Sequence, residues 1–248
     1  MTTLSLAKPT GIIFDLGNTL VIGSTGDVGW QNVLRHIGYR VSLKKIRKSM
    51  KTVEMKLLKA GISPETYEGG MNKFWTLYDK EILSYLGIKG NLTSLAQKIQ
   101  DMWLDYNKII TPNDTIKTLN KLKSDGYKLA ILSNAFEEEI YDAFNITGID
   151  KKLFNVIAGF NTYQSKKPSP ECYKGVLNEL KISPQNAVMV GDQVKIDGIG
   201  ARVSSIRFVH IVRKGKAKTP KWAERITSLN ELPDLLEKKT VMNNATKK

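Results

Sequence analysis

Three short apolar runs, each ending abruptly on a polar residue, constrain this chain more than any other feature. Ile12-Ile13-Phe14 ends on Asp15, Tyr127 to Leu132 ends on Ser133, and Ala187 to Val190 ends on Gly191-Asp192. Runs this short, bounded by turn residues, read as buried strands rather than helices. Asp15 alone is open to a bland reading, because Asp followed by Gly17-Asn18 is ordinary turn chemistry. Three such endings separated by helical sequence say more. In a parallel sheet all strand ends point one way, and ligands bind in the crevice outside the carboxyl ends.

The sequence between the runs supplies the helices. Ser42 is placed to cap a helix from Leu43 to about Ala60, with Leu43, Ile46, Met50, Val53 and Leu57 on one face and Lys44, Lys45, Arg47, Lys48 and Lys51 on the other. A second helical region is expected from Pro64 through Phe74, Trp75, Tyr78 and Ile82, and a third from Thr93 to Tyr106. Residues 22–30, with three glycines, read as a loop or hinge. No strand pattern interrupts 22–110, which is therefore expected to be a helical insertion. After Pro112 helix and strand alternate: a helix capped by Asn113 or Asp114, another from Glu137 to Phe144, a strand near Phe154 to Ala158, a helix opened by Pro170, a short one near Ile199, a fifth strand from Ile206 to Ile211, and a last helix near Leu232 to Lys238. This alternation predicts an α/β protein with a Rossmann-like parallel sheet. The expected division is a core of 1–21 and 111–240, a helical cap of 22–110 and a disordered tail of 241–248.

Two carboxylates facing one crevice repel each other unless a cation lies between them. Asp15 and Asp192 would offer hard oxygen ligands, with Asp197 placed to orient the site, and few oxygen ligands with room for water suit Mg2+. Lys167, followed by Pro168, offers a balancing charge. Ser133 and Asn134 end a strand, where hydroxyl and backbone N–H groups can hold an anion. The two histidines, His36 and His210, are too few for a histidine zinc site, and the single Cys172 rules out an internal disulfide. No Gly-x4-Gly-Lys-Ser/Thr is present, so phosphate chemistry would not come from a P-loop. Together these residues suit phosphoryl transfer onto Asp15.

Phe14-Asp15-Leu16-Gly17-Asn18-Thr19-Leu20, Leu132-Ser133-Asn134, Lys167-Pro168 and Val190-Gly191-Asp192-Gln193-Val194-Lys195-Ile196-Asp197 resemble the four ordered motifs of the haloacid dehalogenase superfamily. The insertion sits where that family carries a C1-type cap. The resemblance implies Asp15 as nucleophile, Thr19 as support for its loop, Ser133 and Asn134 on the phosphate, and Lys167 stabilising charge. It also implies Mg2+ held by Asp15, the Gly17 carbonyl, Asp192 and Asp197. The implied activity is a Mg2+-dependent phosphatase acting on a small phosphorylated metabolite through an aspartyl-phosphate. Gly17 departs from the family's phosphatases, which carry a second Asp there as general acid and base, help worth about 10²–10⁴-fold.

Two other readings remain open. Relatives that dehalogenate 2-haloacids also lack the second Asp, and Arg35 or Arg40 would then bind a substrate carboxylate. Alternatively the fold serves as a binding module. Net charge is +14, spread as +6 over 22–110 and +8 over the remainder. The run Arg213, Lys214, Lys216, Lys218 and Lys221 could contact phosphates, but reads first as an exposed loop after the last strand, so nucleic acid is not the expected partner. The insertion is expected to act as a lid, with Trp30, His36, Arg40, Phe74, Trp75 and Trp103 as candidate selectors of substrate. The opening residues carry neither a basic leader nor a long apolar segment, and no membrane-length apolar run occurs. A cytoplasmic protein is expected.

Overall fold

The structure is a computed structural model that describes residues 9–63, 67, 68 and 70–237. The described chain divides into two compact units. One is Gly23–Ile109; the other is made of the residues before and after it. Ile22 and Ile110, where the chain leaves and re-enters the second of these, exchange both backbone hydrogen bonds at 2.8 Å.

The α/β unit is built on six parallel strands: β1 (Gly11–Phe14), β2 (Lys128–Leu132), β3 (Val156–Ala158), β4 (Ala187–Gly191), β5 (Arg207–Ile211) and β6 (Glu224–Ile226). They lie in the order β3-β2-β1-β4-β5-β6, so the sheet reverses its winding beside β1. Phe14 is in register with Ile131 on one side and Val190 on the other. Strands β1 to β5 are buried along nearly their whole length, as parallel strands covered on both faces must be. On one face Ile13, Ala130, Leu132, Met189 and Phe208 pack with Tyr173, Val176 and Leu180 of α8 (Pro170–Leu180). Around this lie α5 (Thr115–Ser124), α6 (Glu137–Thr147), α7 (Phe160–Tyr163) and α9 (Ile199–Val203), and residues 232–237 are helical. The short β6 escaped the sequence reading because two of its three residues are charged.

The helical unit consists of α1 (Gly26–His36), α2 (Leu43–Lys59), α3 (Gly70–Tyr85) and α4 (Leu92–Asn107). Ser42 caps α2 by accepting the Lys45 N–H, and Ile46, Val53 and Leu57 are buried as their spacing predicts. Residues 22–30 are not a hinge throughout, because α1 begins at Gly26. The glycines there serve close packing: a Cβ on Gly29 would sit 3.0 Å from the Trp103 ring, and one on Gly26 would sit 3.2 Å from Met50. The expected helix start at Pro64, the end of the last helix at Lys238 and the tail 241–248 lie outside the described residues. Among the described residues no helix is long and apolar enough to cross a membrane.

Candidate active site

Asp15, Ser133 and Asp192 each stand one residue past the end of a strand, and the sheet brings those ends together. The Asp15 N–H extends the ladder to the Val190 carbonyl, and the Ser133 N–H to that of Ala158. Beyond Asp15 the chain tightens at once: the N–H groups of Thr19, Leu20 and Val21 all point to the Leu16 carbonyl. Asn18 takes a left-handed conformation in this turn, which Asn tolerates better than most residues. Thr19 is fully buried, and its hydroxyl donates to Asp15 Oδ2 at 3.1 Å.

Lys167 is the centre of charge. Its ammonium lies 2.7 Å from Asp15 Oδ1 and 2.7 Å from Asp197 Oδ1, with the lysine side chain only 2% exposed. Burial pulls its pKa down, but the two carboxylates outweigh that and hold the lysine charged. Asn134 is exposed, and its amide accepts the Lys167 N–H at 2.7 Å and donates to the Lys167 carbonyl at 3.0 Å, which fixes the lysine's backbone. The Ser133 hydroxyl oxygen accepts the Ala135 N–H at 3.1 Å, which leaves its proton to donate.

Asp197 sits in the π-helical turn Val194–Gly198. Besides Lys167 it accepts the Gln193 N–H at 2.9 Å through Oδ2. Burial pushes its carboxyl upward against the pull of Lys167. Gly191 has to be glycine, because a Cβ there would fall 2.4 Å from Asp197 Oδ2. Beneath the turn, the Tyr173 hydroxyl donates to the Asp197 carbonyl at 3.1 Å.

Asp192 is the unfinished member. Asn18 bonds its side chain, yet Oδ1 is buried with no hydrogen-bond partner among the described residues. Burial, then the charges of Asp15 and Asp197, push its carboxyl up to about 6. Ligand oxygens of Asp15, Asp192 and Asp197 lie within 4.8 Å of one another. Three carboxylates with one lysine leave excess negative charge, and a buried orphan oxygen costs several kcal/mol in order of magnitude unless something binds it. This donor set fits a small hard cation. Gly17 is exposed, and a Cβ there would meet nothing within 4 Å. Its missing side chain is thus not a packing requirement.

The remaining candidates have other duties. His210 is buried; Nε2–H donates to the Asp192 carbonyl at 3.0 Å, so Nδ1 must accept from Thr219, and burial lowers its pKa. It is a neutral structural imidazole. In the helical unit, Trp30 and Phe74 belong to the apolar core, with Trp75 and Trp103 packed on it. His36 hydrogen-bonds the Tyr106 hydroxyl at 2.7 Å, and the two rings meet at a tilt of 41°. Arg35 and Arg40 line a cavity of about 290 Å³ with Gln31, Tyr39, Val41 and Ser42. Arg213 does not share the exposed setting read for 213–221. Its side chain is 10% exposed and its guanidinium faces Asp114. Asp114 in turn makes no cap bond to α5. Sequence reasoning missed this pair and Asn18, since their partners lie far away in the chain.

Comparison with known proteins agrees with this architecture. The family described as haloacid dehalogenase-like hydrolase matches residues 12–211. A phosphoglycolate phosphatase of Aquifex aeolicus is 42% identical over 78 residues, which cover 30% of this chain and 35% of that protein. The (S)-2-haloacid dehalogenase 4A of Burkholderia cepacia is 28% identical over 177 residues, 66% of this chain and 71% of that one. Among solved structures, a Bacillus subtilis HAD-hydrolase bound to magnesium superimposes with a TM-score of 0.69 at 16% identity, over 93% of this chain and all of that one, a likeness of fold.

Proposed function

This chain belongs to the haloacid dehalogenase-like hydrolases, and on that premise we propose that it is a phosphatase for a small phosphorylated substrate, with Asp15 as nucleophile and Mg2+ as cofactor. The observation that carries the choice is the orphaned Oδ1 of Asp192 beside Asp15. A hydrolase attacking carbon has no use for two unneutralised carboxylates at the nucleophile. Phosphoryl transfer does, because its charge is carried on oxygens that need a cation. Asp15, Asp192 and the Gly17 carbonyl would hold Mg2+. When bound, it would neutralise phosphate charge and let the anionic nucleophile and substrate approach.

The chain's own residues supply the rest. One carboxylate oxygen of Asp15 attacks phosphorus, the bond to the leaving oxygen breaks, and its electron pair leaves with that oxygen. Thr19 keeps the carboxylate from turning. Lys167 offsets charge on the transferring group, held by Asn134 along its backbone and by Asp197 at its ammonium. We assign Asp197 to that task, since its Oδ1 faces the Lys167 ammonium and its Oδ2 accepts the Gln193 N–H. The Ser133 hydroxyl donates to a phosphate oxygen. Water then attacks the aspartyl-phosphate at phosphorus, the bond from phosphorus to the Asp15 oxygen breaks with its electron pair left on that oxygen, and phosphate departs with the water's oxygen and protons. With Gly17 in place of an acid, substrates whose leaving group is stable as an anion are favoured.

The long match to a haloacid dehalogenase keeps a second reading, displacement of halide from a 2-haloacid by the same Asp15. Release of p-nitrophenol from p-nitrophenyl phosphate, with Mg2+ and with EDTA, and beside Asp15→Asn, decides between them. We expect turnover that needs both Mg2+ and Asp15, and that falls by at least about 10³-fold without either. Chloride release from 2-chloropropionate without such turnover would replace the phosphatase reading with the second.

A further inference from the structure

We propose that Arg213 is a positioning residue for Asp15, acting through the backbone of Thr19; the proposal rests on Asp15 being the nucleophile. Arg213 stands two residues past β5, inside the run of basic residues that reads as surface. Its guanidinium instead turns inward. Nε and Nη2 both donate to the Thr19 carbonyl, at 2.8 and 2.6 Å. Nη1 donates to both oxygens of Asp114 at 3.0 Å. Asp114 is fixed from its far side by the Ser228 hydroxyl at 2.6 Å and the Leu229 N–H at 2.9 Å. Next along the chain, the Thr115 hydroxyl donates to the Leu20 carbonyl at 3.0 Å.

The consequence for Asp15 follows from the tightness of its turn. Thr19 presents three groups in three directions: its N–H to Leu16, its hydroxyl to Asp15 and its carbonyl to Arg213. Fixing the carbonyl fixes the peptide plane, and with it the direction of the side chain that orients the nucleophile. Arginine suits this because its planar fork presents paired N–H groups to the carbonyl on one side and to the carboxylate on the other, a fixed geometry that the point charge of lysine does not reproduce. Positional errors of about 1 Å at a reacting group can cost about 10²-fold in rate.

A plain structural role would predict lost stability and nothing more, so the test compares two half-buried arginines. Arg207 has a side chain 12% exposed and pairs with Glu224 between β5 and β6, away from the nucleophile's turn. Arg213→Met, Arg213→Lys and Arg207→Lys are to be compared with the wild type. The readouts are kcat and KM on p-nitrophenyl phosphate with Mg2+, thermal unfolding, and amide hydrogen exchange of residues 16–21. Rates are taken well below each unfolding midpoint. We expect kcat to fall about 10- to 100-fold in Arg213→Met, less in Arg213→Lys, with KM within about threefold. Exchange should accelerate in the 16–21 turn. Arg207→Lys should lose stability yet keep kcat within about twofold and leave that turn protected. The lysine variant carries the test if the methionine variant does not fold. The proposal is overturned if both arginine positions lose rate in step with stability, or if exchange at 16–21 is unchanged. Were the wild type itself inert on this substrate, the phosphatase reading would fail separately. Exchange confined to the 16–21 turn would then still support the positioning role, and its absence would still overturn it.

Discussion

Asp197 in the α/β unit and Asp79 in the helical unit are buried alike, 1% and 5% exposed, but their surroundings differ. Asp197 faces the Lys167 ammonium and a backbone N–H. Among the described residues Asp79 faces the side-chain amide of Gln100, at 3.1 Å, and burial pushes its carboxyl up to about 7. The contrast shows that burial alone does not decide the state of a carboxyl group. Burial pushes both carboxyls up; at Asp197 a partner of opposite charge pulls against it, whereas at Asp79 an amide does so and the carboxyl lies close to neutral. The α/β unit thus holds charge in place at the strand ends. The helical unit tolerates a carboxyl that gives up its charge within the physiological range.

The strongest way to break this contrast is to remove the cation. Lys167→Met would leave Asp15 and Asp197 unpaired. We expect a loss of about 3–5 kcal/mol at neutral pH in EDTA, with turnover down about 10²–10³-fold when Mg2+ is supplied. Urea unfolding and steady-state rates check both numbers. Unchanged stability would mean that the ion pairs of Lys167 with Asp15 and Asp197 contribute nothing to holding the site together.

Asp79 gives the next largest effect, and its sign is opposite to the usual one for a carboxylate. The folded protein keeps a proton that the unfolded chain releases near pH 3.8, so stability falls as pH rises toward about 7 and levels off above it. The expected span is about 2–4 kcal/mol. Asp79→Asn should abolish that slope. Three of the four tryptophans, Trp30, Trp75 and Trp103, lie in the helical unit, so fluorescence-detected urea unfolding across this pH range reads it.

Asp114 sharpens the comparison with a smaller effect. Burial raises its carboxyl, but Ser228, the Leu229 N–H and Arg213 outweigh that and hold it below the ordinary value. Its contribution is therefore present above about pH 4 and is lost as pH falls through the lowered value. Asp114→Asn should cost about 1–3 kcal/mol at pH 7 and blunt acid unfolding, measured by thermal unfolding at pH 7 and pH 3.

What the sequence disclosed follows the same physics. Strands buried on both faces must be written as apolar runs, so a polar residue at their end is visible without coordinates. Asp15, Ser133 and Asp192 were legible for that reason, and the sheet order then brings them together. Networks were not legible. Arg213 is 194 residues from Thr19 and 99 from Asp114, and the lysines that follow it, Lys214, Lys216, Lys218 and Lys221, are exposed. Asn134 also fixes the Lys167 backbone, a partner 33 residues away that the sequence does not show. The glycines of α1 read as flexibility because sequence alone does not show the Trp103 ring that requires one of them.

The most direct measurement is to stop the reaction with p-nitrophenyl phosphate and Mg2+ by acid within a single turnover, then weigh the peptide that contains Asp15. The account predicts a phosphoryl group on Asp15, removed by hydroxylamine and absent from Asp15→Asn. Turnover with no phosphoryl group on that peptide, or with one on another residue, would contradict it.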